Sequence, residues 1–258
     1  PDLYIGNDFH ENDYIYINNQ DGSFTESFQR YLTHSSRFTM GVDIADLNND
    51  GALDIFTTDM MPFEAYIALK SGGEDTNKVN QIKENLGFEN QYSRNHLQLK
   101  RPYGDYAEIG LLTQTYASDW SWSVLLQDFD NDGRNDIFIT NGIEKRPNDL
   151  DYINYLSNSK FSEFVETEKN EAKKDLIANM PTLKINNLLF HNKGDLDFGT
   201  PSVSFIGSPS YTNGSAYSDL DNDGDLDLVL NNLNAPATIL QNKTSSTEGS
   251  LSILLEGA

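Results

Sequence analysis

Short runs of alternating apolar and polar residues recur along the chain, and each run ends in a turn rich in glycine, aspartate or asparagine. Tyr-Ile-Tyr-Ile-Asn at 14–18 leads through Gln-Asp-Gly-Ser to Phe24, and similar pairs of runs occupy 95–106 and 187–198. A two-residue period around an Asp-Gly or Gly-Asp turn is typical of a β-hairpin. The pattern therefore predicts three hairpins, and residues 237–242 begin it again.

Three acidic segments of nine residues lie between further apolar runs. They occupy 46–54, 128–136 and 219–227, and all fit the pattern D-x-[DN]-x-D-G-x-x-D. Apolar residues precede and follow each segment, which indicates that each acidic loop joins two strands. Residues 1–5 align with the last aspartate and the strand of the same unit, so we expect a piece of a longer protein that begins in the tail of a fourth loop.

The repeating unit thus reads as a hairpin, a strand, an acidic loop and a strand, which is the content of one four-stranded propeller blade. This predicts an all-β fold, a β-propeller fragment of four-stranded blades. The loops start 82 and 91 residues apart, whereas a blade of this kind takes roughly 40–50 residues. We assign the surplus to helical insertions at about 62–94 and 143–181.

Capping residues and helical periodicity predict three helices in these insertions. Asp75 or Thr76 caps the first helix, which Gly87 ends. Asn148 caps a short second helix, and Ser159 caps a longer third helix that stops before a proline.

Composition and charge exclude several classes of function. The 258 residues are 37% hydrophobic, which is enough for a folded core, and the formal net charge is −22. Such an acidic chain has no cationic surplus for nucleic acid or anionic membrane surfaces. The absence of cysteine excludes disulfides and thiolate metal sites. No apolar run is long enough to cross a bilayer, so we expect no direct membrane insertion.

The acidic loops have the spacing of calcium sites. Oxygen atoms at loop positions 1, 3 and 5 converge on one point, a backbone carbonyl at position 7 and an aspartate at position 9 complete the shell, and glycine at position 6 permits the reversal of the chain. About three structural Ca²⁺ sites are expected, and the side chain of Asp225, at position 7, is expected to face solvent. The candidate ligands are Asp46, Asn48, Asp50, Ala52 and Asp54; Asp128, Asp130, Asp132, Arg134 and Asp136; and Asp219, Asp221, Asp223, Asp225 and Asp227.

An EF-hand is the obvious alternative, and the sequence excludes it. Position 12 of an EF-hand loop carries a bidentate glutamate, but here it is Thr57, Ile139 or Leu230. The flanking residues also have the two-residue period of strands instead of the longer period of helices.

The repeated unit resembles the FG-GAP or VCBS repeat of integrin α-chain propellers and bacterial surface proteins. A closer resemblance, to bacterial relatives of cartilage acidic protein, is carried by the segments 116–123, 141–143, 148–155 and 213–224. It implies propeller blades over 1–242, calcium in the loops, export, and the start of an ASPIC/UnbV-like segment at 243–258.

The chain shows no motif that would define an enzyme. Its four histidines have no metal-binding spacing, and no nucleophile elbow or phosphate-binding loop stands in a suitable context. We expect a non-enzymatic binding, adhesion or scaffold module at the extracellular or outer-membrane surface of a bacterium, with a protein or glycan partner and no nucleic acid. Two alternatives remain open: a polysaccharide-acting enzyme on a propeller scaffold, and a structural subunit of a larger outer-membrane complex.

Overall fold

The structure is a computed structural model that describes residues 1–9, 11–72, 76–158, 169–203 and 207–244. The strands in these ranges are β1 (Leu3–Ile5), β2 (Tyr14–Asn18), β3 (Phe24–Glu26), β4 (Ser35–Ser36), β5 (Gly41–Ala45), β6 (Asp54–Thr58), β7 (Gln91–Tyr92), β8 (His96–Lys100), β9 (Tyr106–Glu108), β10 (Ser121–Gln127), β11 (Asp136–Asn141), β12 (Leu188–Phe190), β13 (Thr212–Ser218), β14 (Asp227–Asn232) and β15 (Thr238–Leu240). The helices are α1 (Phe28–Tyr31), α2 (Ala65–Ala68), α3 (Asn77–Asn85), α4 (Leu150–Asn158) and α5 (Lys169–Asn179).

Four antiparallel sheets follow one another along the chain, and the fold is all-β. In the described residues only the second of these sheets has the four strands predicted for each blade, and the other three have three strands each. Sheet one contains β1-β2-β3, sheet two β5-β6-β8-β9, sheet three β10-β11-β12 and sheet four β13-β14-β15, each in that spatial order. A small parallel pair, β4-β7, lies apart from them. Sheet three gains one isolated bridge at its edge, where Leu189 pairs with Ser202.

The strands are grouped into sheets differently from the grouping predicted from the sequence. Within sheet two, β5 leads through the acidic loop to β6, and the hairpin β8-β9 follows in the same sheet. The hairpin therefore belongs to the loop before it, whereas the sequence prediction attached it to the loop after it. Both divisions fit a repeating sequence equally well, and the hydrogen bonds between β6 and β8 decide between them.

Apolar residues fill the spaces between neighbouring sheets. Phe56 and Leu97 from sheet two pack against Ile137 and Ile139 from sheet three, and all four side chains are fully buried. Phe138 points to the other face of the same strand and packs towards sheet four. Strand β11 is buried along its whole length because a sheet lies on each of its faces, which explains why three consecutive apolar residues, 137–139, stand at its centre.

Both helical insertions connect the second strand of a sheet to the third. They extend over 59–95 and 142–187, slightly beyond the predicted bounds, and they contact each other where Gly72 N donates to Asn148 O and Leu150 N donates to Lys70 O. None of the helices in the described part of the chain is long and apolar enough to cross a membrane.

The predicted helix caps are partly confirmed. Thr76 caps α3, since its hydroxyl accepts a hydrogen bond from Val79 N. The prediction of Asn148 as the cap of α4 is wrong: Asp149 Oδ1 accepts from Tyr152 N at 3.0 Å, while the carbonyl of Asn148 is used by the other insertion. The third predicted helix begins outside the described residues, and its described part is α5.

One polar residue before a strand connects each of sheets one, two and three to the next sheet. This residue is Asn95 before β8 and Asn187 before β12, the third strands of sheets two and three. In sheet one, where β1 corresponds to the second strand of the other sheets, it is Asp13 before β2. Its Oδ1 accepts the backbone N–H that follows the second strand, at 2.8–2.9 Å in all three. Its other terminal atom bonds to a hydroxyl next to the first strand of the following sheet, on Thr39, Ser118 or Thr212.

Candidate metal sites

The acidic loops all lie at one end of the sheets, because each connects a first strand to a second strand. They join β5 to β6, β10 to β11 and β13 to β14. The insertions connect second to third strands and therefore lie at the opposite end. The strand–loop–strand arrangement, and with it the exclusion of an EF-hand, is confirmed.

The three loops have the same backbone conformation. Position 4 has a positive φ of 57°, 57° and 62° at Asn49, Asn131 and Asn222, and glycine at position 6 has φ of 83–95°. Asparagine tolerates this left-handed region better than other residues with a side chain. The glycine was predicted from the sequence and the asparagine was not, although all three loops carry it.

Aspartates at positions 1 and 5 hold this conformation through the same hydrogen bonds in each loop. In the second loop Asp128 accepts from the N–H groups of Asp132 and Gly133 at 3.0 and 2.8 Å, and Asp132 accepts from Arg134 N. The same bonds recur in the first loop and in the third. These carboxylates thus face the inside of the loop, where their remaining lone pairs can meet a cation.

The aspartate at position 9 connects the loop to the third strand. Asp136 is fully buried, and its two oxygens accept from Phe129 N and Asn192 N. Asp54 and Asp227 make the corresponding bonds. Burial raises the pKa of the Asp54 carboxyl. The position-9 carboxylate therefore supports the fold whether or not it also contacts a cation.

The second loop brings three carboxylates together. Oxygens of Asp128, Asp130 and Asp132 all lie within 4.8 Å of one another. Asp130 Oδ1 is buried and has no hydrogen-bond partner, and burial raises the pKa of this carboxyl. Arg134 compensates part of the charge, because its guanidinium pairs with Asp132 and its Nε donates to Asn192 O at 2.8 Å.

The third loop groups Asp219, Asp221 and Asp227 within the same 4.8 Å. The expectation that Asp225 faces solvent is wrong: its side chain is 4% exposed, and Oδ1 has no hydrogen-bond partner. The backbone N–H of Thr244, which follows the last strand of the sheet, lies near the Asp225 carboxyl and acts to lower its pKa. Loss of hydration raises the pKa of Asp225 to about 6.

The first loop has the weakest donor set of the three. Asn48 replaces the acid at position 3, and its amide donates to Asp50 Oδ2 at 3.0 Å. Asp46, Asp50 and Asp54 do not form a group of three convergent acids among the described residues. This loop can still offer the side-chain oxygens at positions 1, 3 and 5, of which two are charged.

Neighbouring loops are hydrogen-bonded to each other. Asn49 in the first loop donates to Gly133 O, and Asn135 in the second loop donates to Asp46 O, at 3.0 and 2.8 Å. Asn192, at the end of β12, reaches Leu47 O in the first loop. A change in the conformation of one of these loops therefore alters the hydrogen bonds of the other.

Two residues that directly follow third strands contact the loops, and they were not predicted from the sequence. Leu99, His191 and Gln241 each come one residue after the strand residue that pairs with the neighbour of the position-9 aspartate. Leu99 packs against the apolar core, whereas His191 and Gln241 contact loop acids. His191 Nδ1 lies 3.4 Å from Asp130 Oδ2 and 3.7 Å from Asp136 Oδ2. Its contact with Asp136 raises the pKa of His191. Motif spacing does not reveal this histidine because it lies more than fifty residues beyond the loop.

Comparison with protein-family models places an FG-GAP-like repeat at residues 1–57. The match runs from β1 through the first acidic loop to β6, so it crosses from sheet one into sheet two. A search of curated proteins finds no match to this chain.

Proposed function

We propose that the chain is part of a calcium-binding β-propeller whose acidic loops hold structural Ca²⁺ ions. The observation that carries the proposal is the threefold recurrence of one loop, with the same positive-φ residues and the same carboxylate hydrogen bonds each time. Hard oxygen ligands in a flexible loop suit calcium better than magnesium, which requires a stricter octahedron. The buried Asp130 Oδ1 and Asp225 Oδ1, both without a hydrogen-bond partner, support the presence of a cation.

The propeller part of the proposal rests on how the sheets pack. The first strand of sheet three, β10, contacts the first strands of sheets two and four, β5 and β13. Sheets two, three and four therefore pack side by side in the order of the sequence. Each sheet buries apolar residues against the next, as propeller blades do. The FG-GAP-like match at 1–57 agrees with this arrangement. The closer likeness to bacterial relatives of cartilage acidic protein, with an ASPIC/UnbV-like segment from 243, belongs to the same proposal, although 245–258 lie outside the described residues.

The proposed role is a non-enzymatic binding, adhesion or scaffold module at the surface of a bacterium. Calcium sites of extracellular modules have dissociation constants on the order of 10⁻⁴–10⁻³ M, which are filled outside cells. The insertions project from the end opposite the loops and expose Tyr66 and Leu69, which are 69% and 82% accessible. Such side chains suit contact with a protein or glycan partner. If the chain released shorter sugars when incubated with a polysaccharide, that result would favour the enzyme alternative.

Thermal unfolding with millimolar calcium and with EDTA tests the calcium sites. Occupied sites stabilise only the folded chain, and each adds about 1.4 kcal/mol when free calcium is roughly ten times its dissociation constant. We expect a clear rise in melting temperature and about three bound ions per chain. Asp128→Asn should lose one ion, whereas Asp151→Asn, which alters an exposed carboxylate outside the loops, should lose none. Equal melting temperatures in calcium and EDTA, with no bound metal, would overturn the proposal.

A further inference from the structure

We propose that the second loop, together with His191, is a mixed nitrogen and oxygen site that binds a divalent transition-metal ion such as zinc. Ligand atoms of Asp130, Asp136 and His191 all lie within 4.8 Å of one another. Imidazole favours zinc and its neighbours over calcium and magnesium, which prefer oxygen ligands. The inference deepens the proposed function and rests on it in one respect, because Asp130 and Asp136 are shared with the calcium loop.

The positions of the free atoms point to a metal ion rather than to a simple ion pair. His191 Nδ1 and Asp130 Oδ1 are both buried and have no hydrogen-bond partner. The Nδ1 atom lies 3.4 and 3.7 Å from the two carboxylates, beyond ordinary hydrogen-bond length. Two ligand atoms bound at about 2.1 Å to one tetrahedral ion are ~3.4 Å apart. The spacing therefore fits ligands around a common centre.

The three donors keep lone pairs for an ion, although both oxygens of Asp136 also accept backbone hydrogen bonds. Of the two other acids beside Asp130, Asp132 is paired with the Arg134 guanidinium, and Asp128 accepts backbone hydrogen bonds within the loop. A cavity of about 470 Å³ between sheets three and four is lined by Asp130 and His191. It offers a path for the ion and space for a water ligand in the open position, as zinc sites with three protein ligands have.

The other two loops serve as comparisons within the chain, because a different residue occupies the position that corresponds to His191 in each of them. It holds Leu99 in sheet two, which has no donor atom, and Gln241 in sheet four, whose amide donates to Asp221. His191→Gln therefore copies the arrangement of sheet four and keeps the loop carboxylates. Gln241→His places an imidazole beside Asp221 and Asp227, which already converge with Asp219.

Titration with Co²⁺ in calcium-free buffer, followed by calorimetry and visible absorption, tests the site on an untagged chain. The wild-type chain should bind one Co²⁺ ion with the absorption of a nitrogen-containing site. His191→Gln should weaken that binding by about tenfold or more, and Gln241→His should gain a second ion. Calcium-dependent thermal stabilisation, measured on all three chains, reports separately on the oxygen-ligand loops.

The outcomes separate this inference from the proposed function. Equal Co²⁺ binding by wild type and His191→Gln would overturn it, as would no Co²⁺ binding by the wild type, and in both cases the calcium result stands by itself. If His191→Gln does not fold, the Gln241→His chain decides: a second ion supports the site and its absence contradicts it. Loss of calcium stabilisation in the wild type would count against the proposed function alone.

Discussion

Asn95 is the residue whose replacement most directly tests how the sheets are held together. It lies just before β8 and is fully buried. Its Oδ1 accepts from Asp59 N at 2.9 Å, and its amide nitrogen donates to Thr115 O at 3.2 Å and to Ser118 Oγ at 2.8 Å. Asn95→Ala removes these three side-chain hydrogen bonds, two of which join sheet two to the segment that enters sheet three.

The expected loss of stability is about 3–5 kcal/mol. Asp59 and Thr115 are fully buried, so the Asp59 N–H and the Thr115 carbonyl lose a partner that water does not readily replace. A buried polar group left without a partner costs about 1–3 kcal/mol. The hydroxyl of Ser118 is less affected, because it also bonds to Ser121 Oγ. Two such groups and a small cavity account for the range.

Urea unfolding in saturating calcium measures the effect, with two further variants. Asn85→Ala replaces an exposed asparagine of α3 and should change the free energy of unfolding by less than about 0.5 kcal/mol. Asn95→Asp should be at least as harmful as the alanine variant, because its carboxylate would face the Thr115 carbonyl. In sheet one an aspartate is tolerated at this position, since Tyr4 and Thr39 donate hydroxyl protons to Asp13.

A loss below about 1 kcal/mol for Asn95→Ala would refute the reasoning, because it would mean that water or a shifted neighbour satisfies the exposed partners. A similar loss in Asn85→Ala would also refute it, since the effect would then not depend on burial.

Three further predictions concern single side chains. Burial lowers the pKa of fully buried His96 to about 3, so the folded chain loses stability as pH falls below the ordinary histidine value of 6.5. His96→Leu should therefore gain about 2 kcal/mol relative to wild type between about pH 8 and about pH 5, and equal differences at both pH values would contradict this. Asn131→Gly should leave urea stability within about 0.5 kcal/mol, whereas Asn131→Val should lose about 1–2 kcal/mol, because φ is 57°; equal effects of the two would refute the role of backbone conformation. Lys70→Ala breaks an exposed ion pair with Asp151 and should cost less than about 1 kcal/mol; a larger loss would show that the contact between the insertions matters more than its exposure suggests.

Local patterns in the sequence predicted the hairpins β2-β3 and β8-β9, the strand–loop–strand segments and the cap of α3. These features depend on residues within about ten positions of one another, so turn chemistry and hydrophobic period are sufficient. The glycine at position 6 was assigned correctly for the same reason, because the reversal of the chain is a property of the loop itself. The third predicted hairpin, at 187–198, is wrong, because the structure has β12 there and then a turn without a second strand.

Only the tertiary structure decided which strands share a sheet and which side chains meet the loops. A repeating sequence can be divided at any phase, and the hydrogen bonds of β6 with β8 select one division. His191 lies 3.7 Å from Asp136 because it follows β12, which pairs with β11 across an insertion whose length the loop does not determine. Asp225 is buried, and the backbone of Thr244, which follows the last strand of its sheet, lies near its carboxyl. In each case the deciding contact joins residues distant in sequence, where neither spacing nor period carries information.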